Sequence, residues 1–126
     1  MSTIALPWTK PPITQNQLRR LHYREEAKRK AAALAEARTV IAAKHLPLMG
    51  GAIVILHWRM ANRRRQDGDG AAPTLKVCLD ALVHEGVLHD DSWIEVPHSG
   101  VTCHAPILGK PGAMWLTLSD PDAEVA

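Results

Sequence analysis

The 126-residue sequence predicts a single α/β domain with the element order β-α-β-α-β-β, a small mixed sheet carrying two helices. Three observations lead there. A chain of this length suits one domain and buries roughly 65–70% of its unfolded surface, enough for one ordinary core. Its composition, 46% hydrophobic and 22% charged, is that of a globular protein. Short apolar, β-branched runs also alternate with stretches of Ala, Leu, Arg, Lys and Glu, as strands interleaved with helices do.

Each element has its own warrant. Ser2 to Leu6 is β-branched at alternate positions and stopped by Pro7, which predicts an edge strand. Lys10-Pro11-Pro12 is an extended connector, because proline fixes φ and moves its predecessor out of the helical region. Gln17 to about Lys44 is built of strong helix formers and predicts one long helix. Leu18, Leu21, Ala27, Leu34, Ala37, Ile41 and Ala42 recur at threes and fours as its buried stripe, and Pro47 and Gly50-Gly51 mark its end. Ala52 to Arg59 is apolar and β-branched behind two glycines, so it predicts a buried strand. Ala61 to Ala72 is a polar, glycine-rich loop. Pro73 opens a second helix that runs to about Glu85 and closes at Gly86, with Leu75, Leu79 and Leu82 as its apolar stripe. Ser92–Val96 and Ala113–Leu118 predict the last two strands, and residues 119–126 a frayed acidic tail. Trp58 and Trp93 are expected to pack, and Cys78 to fill core or interface space.

The net charge of +2 hides a strong asymmetry. Residues 1–66 hold thirteen lysines and arginines against three acids, a charge of +10; residues 67–126 hold two bases against ten acids, a charge of −8. A basic half points to a polyanion, and nucleic acid is the natural one; the plain alternative is two halves that neutralise each other. No apolar run approaches the ~20 residues a membrane span needs, and the N-terminus lacks the charged start and apolar stretch of a secretory signal. Two cysteines are too few for a disulfide scaffold. A reduced cytoplasmic location without a membrane partner is therefore expected.

The sharpest local feature is Arg63-Arg64-Arg65-Gln66-Asp67-Gly68-Asp69-Gly70, on the loop that leaves the central strand. Glycines at 68 and 70 allow a bend that brings both carboxylates onto one ion, and carboxylate oxygens prefer Mg²⁺, Mn²⁺ or Ca²⁺. An EF-hand is excluded, because its sixth position would be Ala72 and its twelfth Cys78. The plain alternative is a solvated acidic turn. A second acidic pair, Asp90-Asp91, follows the second helix and can return towards Asp67 and Asp69. If the pairs meet, a divalent cation relieves their repulsion and supports displacement at a phosphodiester. Lys76 either holds the phosphate or simply pairs with Asp80 one turn on, worth only ~0.3–0.5 kcal/mol. Seven histidines raise zinc, with His98, Cys103 and His104 the nearest cluster, but no C-x-x-C or H-x₃-H spacing accompanies them, and partly exposed loop residues are the expectation. Arg19, Arg20, Arg24 and Lys28 form a basic helix face that, beside Arg63–Arg65, reads as phosphate contact, and Trp8 near Lys10 is a candidate to touch DNA.

The ordered set of motifs resembles the RusA-type Holliday-junction resolvases of bacteria and their phages. The residues that carry the resemblance are Arg63-Arg64-Arg65-Gln66-Asp67-Gly68-Asp69, then Lys76 with Asp80, then Gly86-Val87-Leu88-His89-Asp90-Asp91. Ile4-Ala5-Leu6-Pro7-Trp8 with Pro11-Pro12 and Asn16 is similar to the family's first strand and connector, and Met114–Leu118 to its last strand. Ala72-Pro73-Thr74-Leu75-Lys76 looks like its phage branch. Gly70 departs from the asparagine common there, and the stretch before Lys76 is longer than in the best-known member. The resemblance implies a small homodimeric endonuclease that nicks four-way DNA junctions symmetrically with Mg²⁺, for which Mn²⁺ can substitute. It assigns Asp67, Asp69 and Asp91 as metal-binding carboxylates, Asp90 as the adjacent acid and Lys76 as the catalytic lysine. Arg63, Arg64, Arg65, Lys10, Asn16, Arg19, Arg20 and Arg24 are then the DNA-binding set. The rival expectations are a non-catalytic dimer that binds branched DNA, and a broader nuclease for flaps and other branches.

Overall fold

A computed structural model describes residues 1–20, 22–66 and 68–124. The elements run β1 (Ser2–Ala5), α1 (Gln15–Leu18), α2 (Tyr23–Ala42), β2 (Ile53–Arg59), a 3₁₀ turn (Gly68–Ala71), α3 (Ala72–His84), β3 (His98–His104), β4 (Ala113–Ser119) and a last 3₁₀ turn (Pro121–Glu124). Four strands make one mixed sheet in the order β1-β4-β2-β3. β4 is antiparallel to both β1 and β2, whereas β3 lies parallel to β2, which requires the crossover that α3 supplies. The result is one small α/β domain, as expected, with three helices rather than two.

β1, β2 and β4 alternate in burial along their length, whereas β3 does not. Val54, Leu56 and Trp58 of β2, Met114, Leu116 and Leu118 of β4 and Ile4 of β1 are buried, while their neighbours stay half-buried or exposed. The buried side forms one core with Ala33, Ala37 and Ile41 of α2 and with Val77, Cys78, Ala81 and Leu82 of α3. α2 packs on α3 through alanines, and Arg38 of α2 is tied to Glu85 by an ion pair of 2.8 Å. α3 ends where Gly86 takes a left-handed φ of +75°, which a side chain would strain. Gly112 is required for a different reason: a Cβ there would sit 2.3 Å from the carbonyl oxygen of Thr9, so the connector after β1 passes directly over it.

Several expectations are corrected. The single helix from Gln17 to Lys44 is two, because Thr14 caps an earlier start and the His22 ring, with extended backbone at that residue, accepts the Arg24 N–H at 3.3 Å and starts α2 afresh. Ala33 joins the buried stripe while Ala27 and Ala42 are exposed; Leu21 lies outside the described residues. Ser92–Val96 is a turn, with the Ser92 carbonyl accepting the N–H groups of Glu95 and Val96, and the strand is His98–His104 instead. Trp93, expected to pack, is 79% exposed on that turn. The tail begins with an ordered turn, in which the Asp120 carboxylate accepts the Asp122 N–H at 2.9 Å. No described helix is long and apolar enough to cross a membrane.

Candidate functional site

The connector after β1 builds one wall of the site. Pro11 and Ile13 are buried, and the hydroxyl of fully buried Thr74 on α3 donates to the Ile13 carbonyl at 2.7 Å and accepts its N–H at 3.4 Å. One residue later a capping box starts α1: the Thr14 hydroxyl accepts the Gln17 N–H, and the Gln17 side chain accepts the Thr14 N–H. α1 is thereby fixed beside the start of α3. Asn16 and Arg19 face Arg65 and Asp69 across a polar cleft of about 600 Å³, with buried Trp58 also lining it. Four residues singled out from the sequence thus meet in one cleft, drawn from α1 and its C-cap, from the loop after β2 and from the 3₁₀ turn before α3.

The remaining basic candidates do not line this cleft. Arg63 and Arg64 are exposed on the same loop, with the Arg64 N–H held at 2.9 Å by the Asn62 side chain. Arg63 faces a separate cavity beside Leu108 and Lys110. Lys10, Arg20 and Arg24 are exposed, and Arg24 leans over the Tyr23 ring. Trp8 is buried with its indole N–H unpartnered among the described residues, so it is no surface contact for DNA.

Lys76 organises a second group. Its ammonium lies 3.2 Å from Asp80 on the same helix and makes a closer ion pair with Asp91. The hydrogen bond to Asp91 holds the Lys76 pKa above its usual value, and the same bond holds the Asp91 carboxyl below its own. The plain helix pair and the long-range contact therefore coexist. The loop that carries Asp91 is itself pinned: the Glu95 carboxylate accepts the N–H groups of His89 and Asp90, and the Asp90 carboxylate accepts that of Asp91 at 2.8 Å. Sequence reasoning missed Glu95, for a lone acid four residues past an acidic pair carries no motif. Lys76 also borders an apolar groove of about 540 Å³ with Leu18, Leu34 and Asp80, and Gln15 lines both this groove and the polar cleft.

Asp67 lies outside the described residues. Among the described ones, no three of His, Cys, Asp and Glu are gathered into a ready metal cluster, so Asp69, Asp90 and Asp91 do not form one by themselves. The donor chemistry of Asp69 and Asp91, carboxylate oxygen without sulfur or imidazole, still fits a hard ion such as Mg²⁺.

The cysteines divide as their surroundings dictate. Burial pushes the Cys78 thiol up to about 12, so it is core filler. Cys103 is exposed, with its thiol against Gly68; burial of the sulfur and the negative charge of Asp69 raise its pKa. The zinc cluster of His98, Cys103 and His104 is not formed, because successive residues of β3 point to opposite faces and His104 meets His57 instead. Compared with known proteins, the chain matches no family model and no curated sequence.

Proposed function

We propose that this chain is a Mg²⁺-dependent, structure-selective endodeoxyribonuclease of the RusA type that resolves four-way DNA junctions as a homodimer. The observation that carries the reading is the cleft itself, where Asn16, Arg19 and Arg65 meet Asp69, while a separate groove that shares Gln15 with it is lined by a lysine paired with Asp91. Arginine guanidinium groups suit phosphate oxygens by geometry and charge, and Asn16 adds a neutral hydrogen-bonding group. Asp69 and Asp91, with Asp67 from the same motif, would hold the ion. Magnesium, when bound, supplies Lewis acidity and cancels charge that would otherwise repel DNA from the carboxylates. Lys76 is held on α3 by Asp80 and on the loop by Asp91; an incoming phosphate competes for the same ammonium, which then offsets the charge that builds in the transition state. Paired nicks on opposed strands need two such sites related by a two-fold axis, hence the dimer.

A specific observation also favours a second reading. Both contacts of Lys76 are to carboxylates, as in a purely structural ion network, and this suits a non-catalytic dimer that binds branched DNA. Cleavage of a synthetic four-way junction by purified protein separates the two. The nuclease reading expects Asp69→Asn to abolish cutting while retaining binding, and Lys76→Met to slow it by about 10²–10³-fold. Cleavage indifferent to both substitutions, or binding without any Mg²⁺-dependent cutting, overturns it.

A further inference from the structure

The half-buried face of the sheet carries a cluster that the cleft does not use. His57 sits opposite Trp115 of β4 in register, Arg59 sits opposite His104 of β3, and Thr117 lies two residues along from Trp115 on the same side. His57 Nδ1 faces His104 Nε2 at 2.8 Å, and His57 Nε2 faces the Thr117 hydroxyl at 2.9 Å. The His57 ring is parallel to the Trp115 ring, with an interplanar angle of 1° and centroids 5.2 Å apart, and the His104 ring lies 5.0 Å from the same indole. All four side chains are half-buried and open to solvent on one side. A single proton lies between the two facing nitrogens in either tautomer.

We propose that His57 Nδ1 and His104 Nε2 form a two-imidazole chelate for a borderline transition-metal ion such as Zn²⁺, Ni²⁺ or Cu²⁺. Two imidazole nitrogens at about 2.0–2.1 Å from one ion, at tetrahedral or square angles, stand roughly 2.9–3.4 Å apart, so these need to separate by only a few tenths of an ångström. The edge position of β3 allows that movement, for it is hydrogen-bonded to one neighbour only. Thr117 is the outer partner that such sites need: by accepting from His57 Nε2–H it keeps Nδ1 unprotonated and aimed at the ion. Trp115 backs both rings and limits their rotation. On binding, the proton between the nitrogens, carried by His104 Nε2, moves through solvent to His104 Nδ1, so the ring stays a neutral imidazole, its Nε2 is freed and the ion takes the proton's place. Among the described residues no third His, Cys, Asp or Glu joins the pair, so water fills the other positions and the ion is exchangeable. The cation on this face, Arg59, points its guanidinium to the Pro111 carbonyl at 3.1 Å. Imidazole donors discriminate against Mg²⁺, which keeps this site chemically separate from the carboxylates of the cleft.

Calorimetric titration of the purified chain with Zn²⁺ and with Ni²⁺, in the presence of excess Mg²⁺, tests the assignment. One ion per chain is expected, weakened at least about tenfold by His57→Gln and by His104→Gln, and several-fold by Thr117→Val, with His98→Gln unchanged. Cu²⁺ should quench tryptophan fluorescence in the wild type and much less in His104→Gln, while circular dichroism verifies that each variant is folded. Equal affinity in the wild type and His104→Gln, or displacement of the ion by Mg²⁺, overturns the proposal.

Discussion

At the scale of single residues, burial and partners decide what each reactive side chain does. Cys78 shows this most simply. Its thiol lies in the α3 face of the core at 0% exposure, and its pKa is pushed to about 12. An unfolded thiol ionises near 8.5–9, so between roughly pH 9 and pH 12 the unfolded state loses a proton that the folded state keeps. The raised value therefore stabilises the fold fully below pH 9, and that contribution fades as pH rises towards 12. Urea midpoints at pH 8 and pH 10.5 should show a loss of about 2 kcal/mol in the wild type that is missing from Cys78→Ala, measured against that variant's own value at pH 8. An equal alkaline loss in both proteins would mean that the thiol is not the group responsible. Lys76 is the contrasting case, since it is largely exposed and its two carboxylate partners set its pKa.

At the scale of elements, the site depends on how a proline-rich connector is tied to a helix. Thr74 is the tie, and Thr74→Val keeps the shape while leaving the Ile13 N–H and carbonyl without their buried partner. A loss of about 1–3 kcal/mol is expected in urea unfolding, with an unchanged denaturant slope. A loss below about 0.5 kcal/mol, the range of neutral surface changes, would show that the connector is held by other contacts. This tie also marks the limit of what the sequence discloses. β1, β2, α3 and β4 were legible because alternation, helix formers, Pro73 and Gly86 are local signals. β3 was not, since His98–His104 is a polar edge strand whose place comes from pairing with β2, and Ser92–Val96 imitates a strand without having a partner. The break before α2 was missed for a similar reason: a histidine cap is visible only once its ring is seen to accept a backbone N–H.

At the scale of the whole molecule, the basic first half and acidic second half meet both at the cleft and at the Arg38–Glu85 ion pair between α2 and the end of α3. Arg19 and Arg65 come from the basic half and Asp69 from the acidic half, and they line the same cavity. The meeting of Asn16, Arg19, Arg65 and Asp69 was foreshadowed residue by residue, but the Lys76–Asp91 pair and the His57–His104 contact needed the packing of α3 and the pleat of the sheet to emerge. The proposed hydrolysis of DNA at a four-way junction by this cleft is checked by mapping the cuts made in a synthetic junction in Mg²⁺. Paired nicks, symmetrically placed across the branch, that vanish in a chelator and in Asp69→Asn are expected; a junction that is bound yet left intact in Mg²⁺ would contradict the proposal.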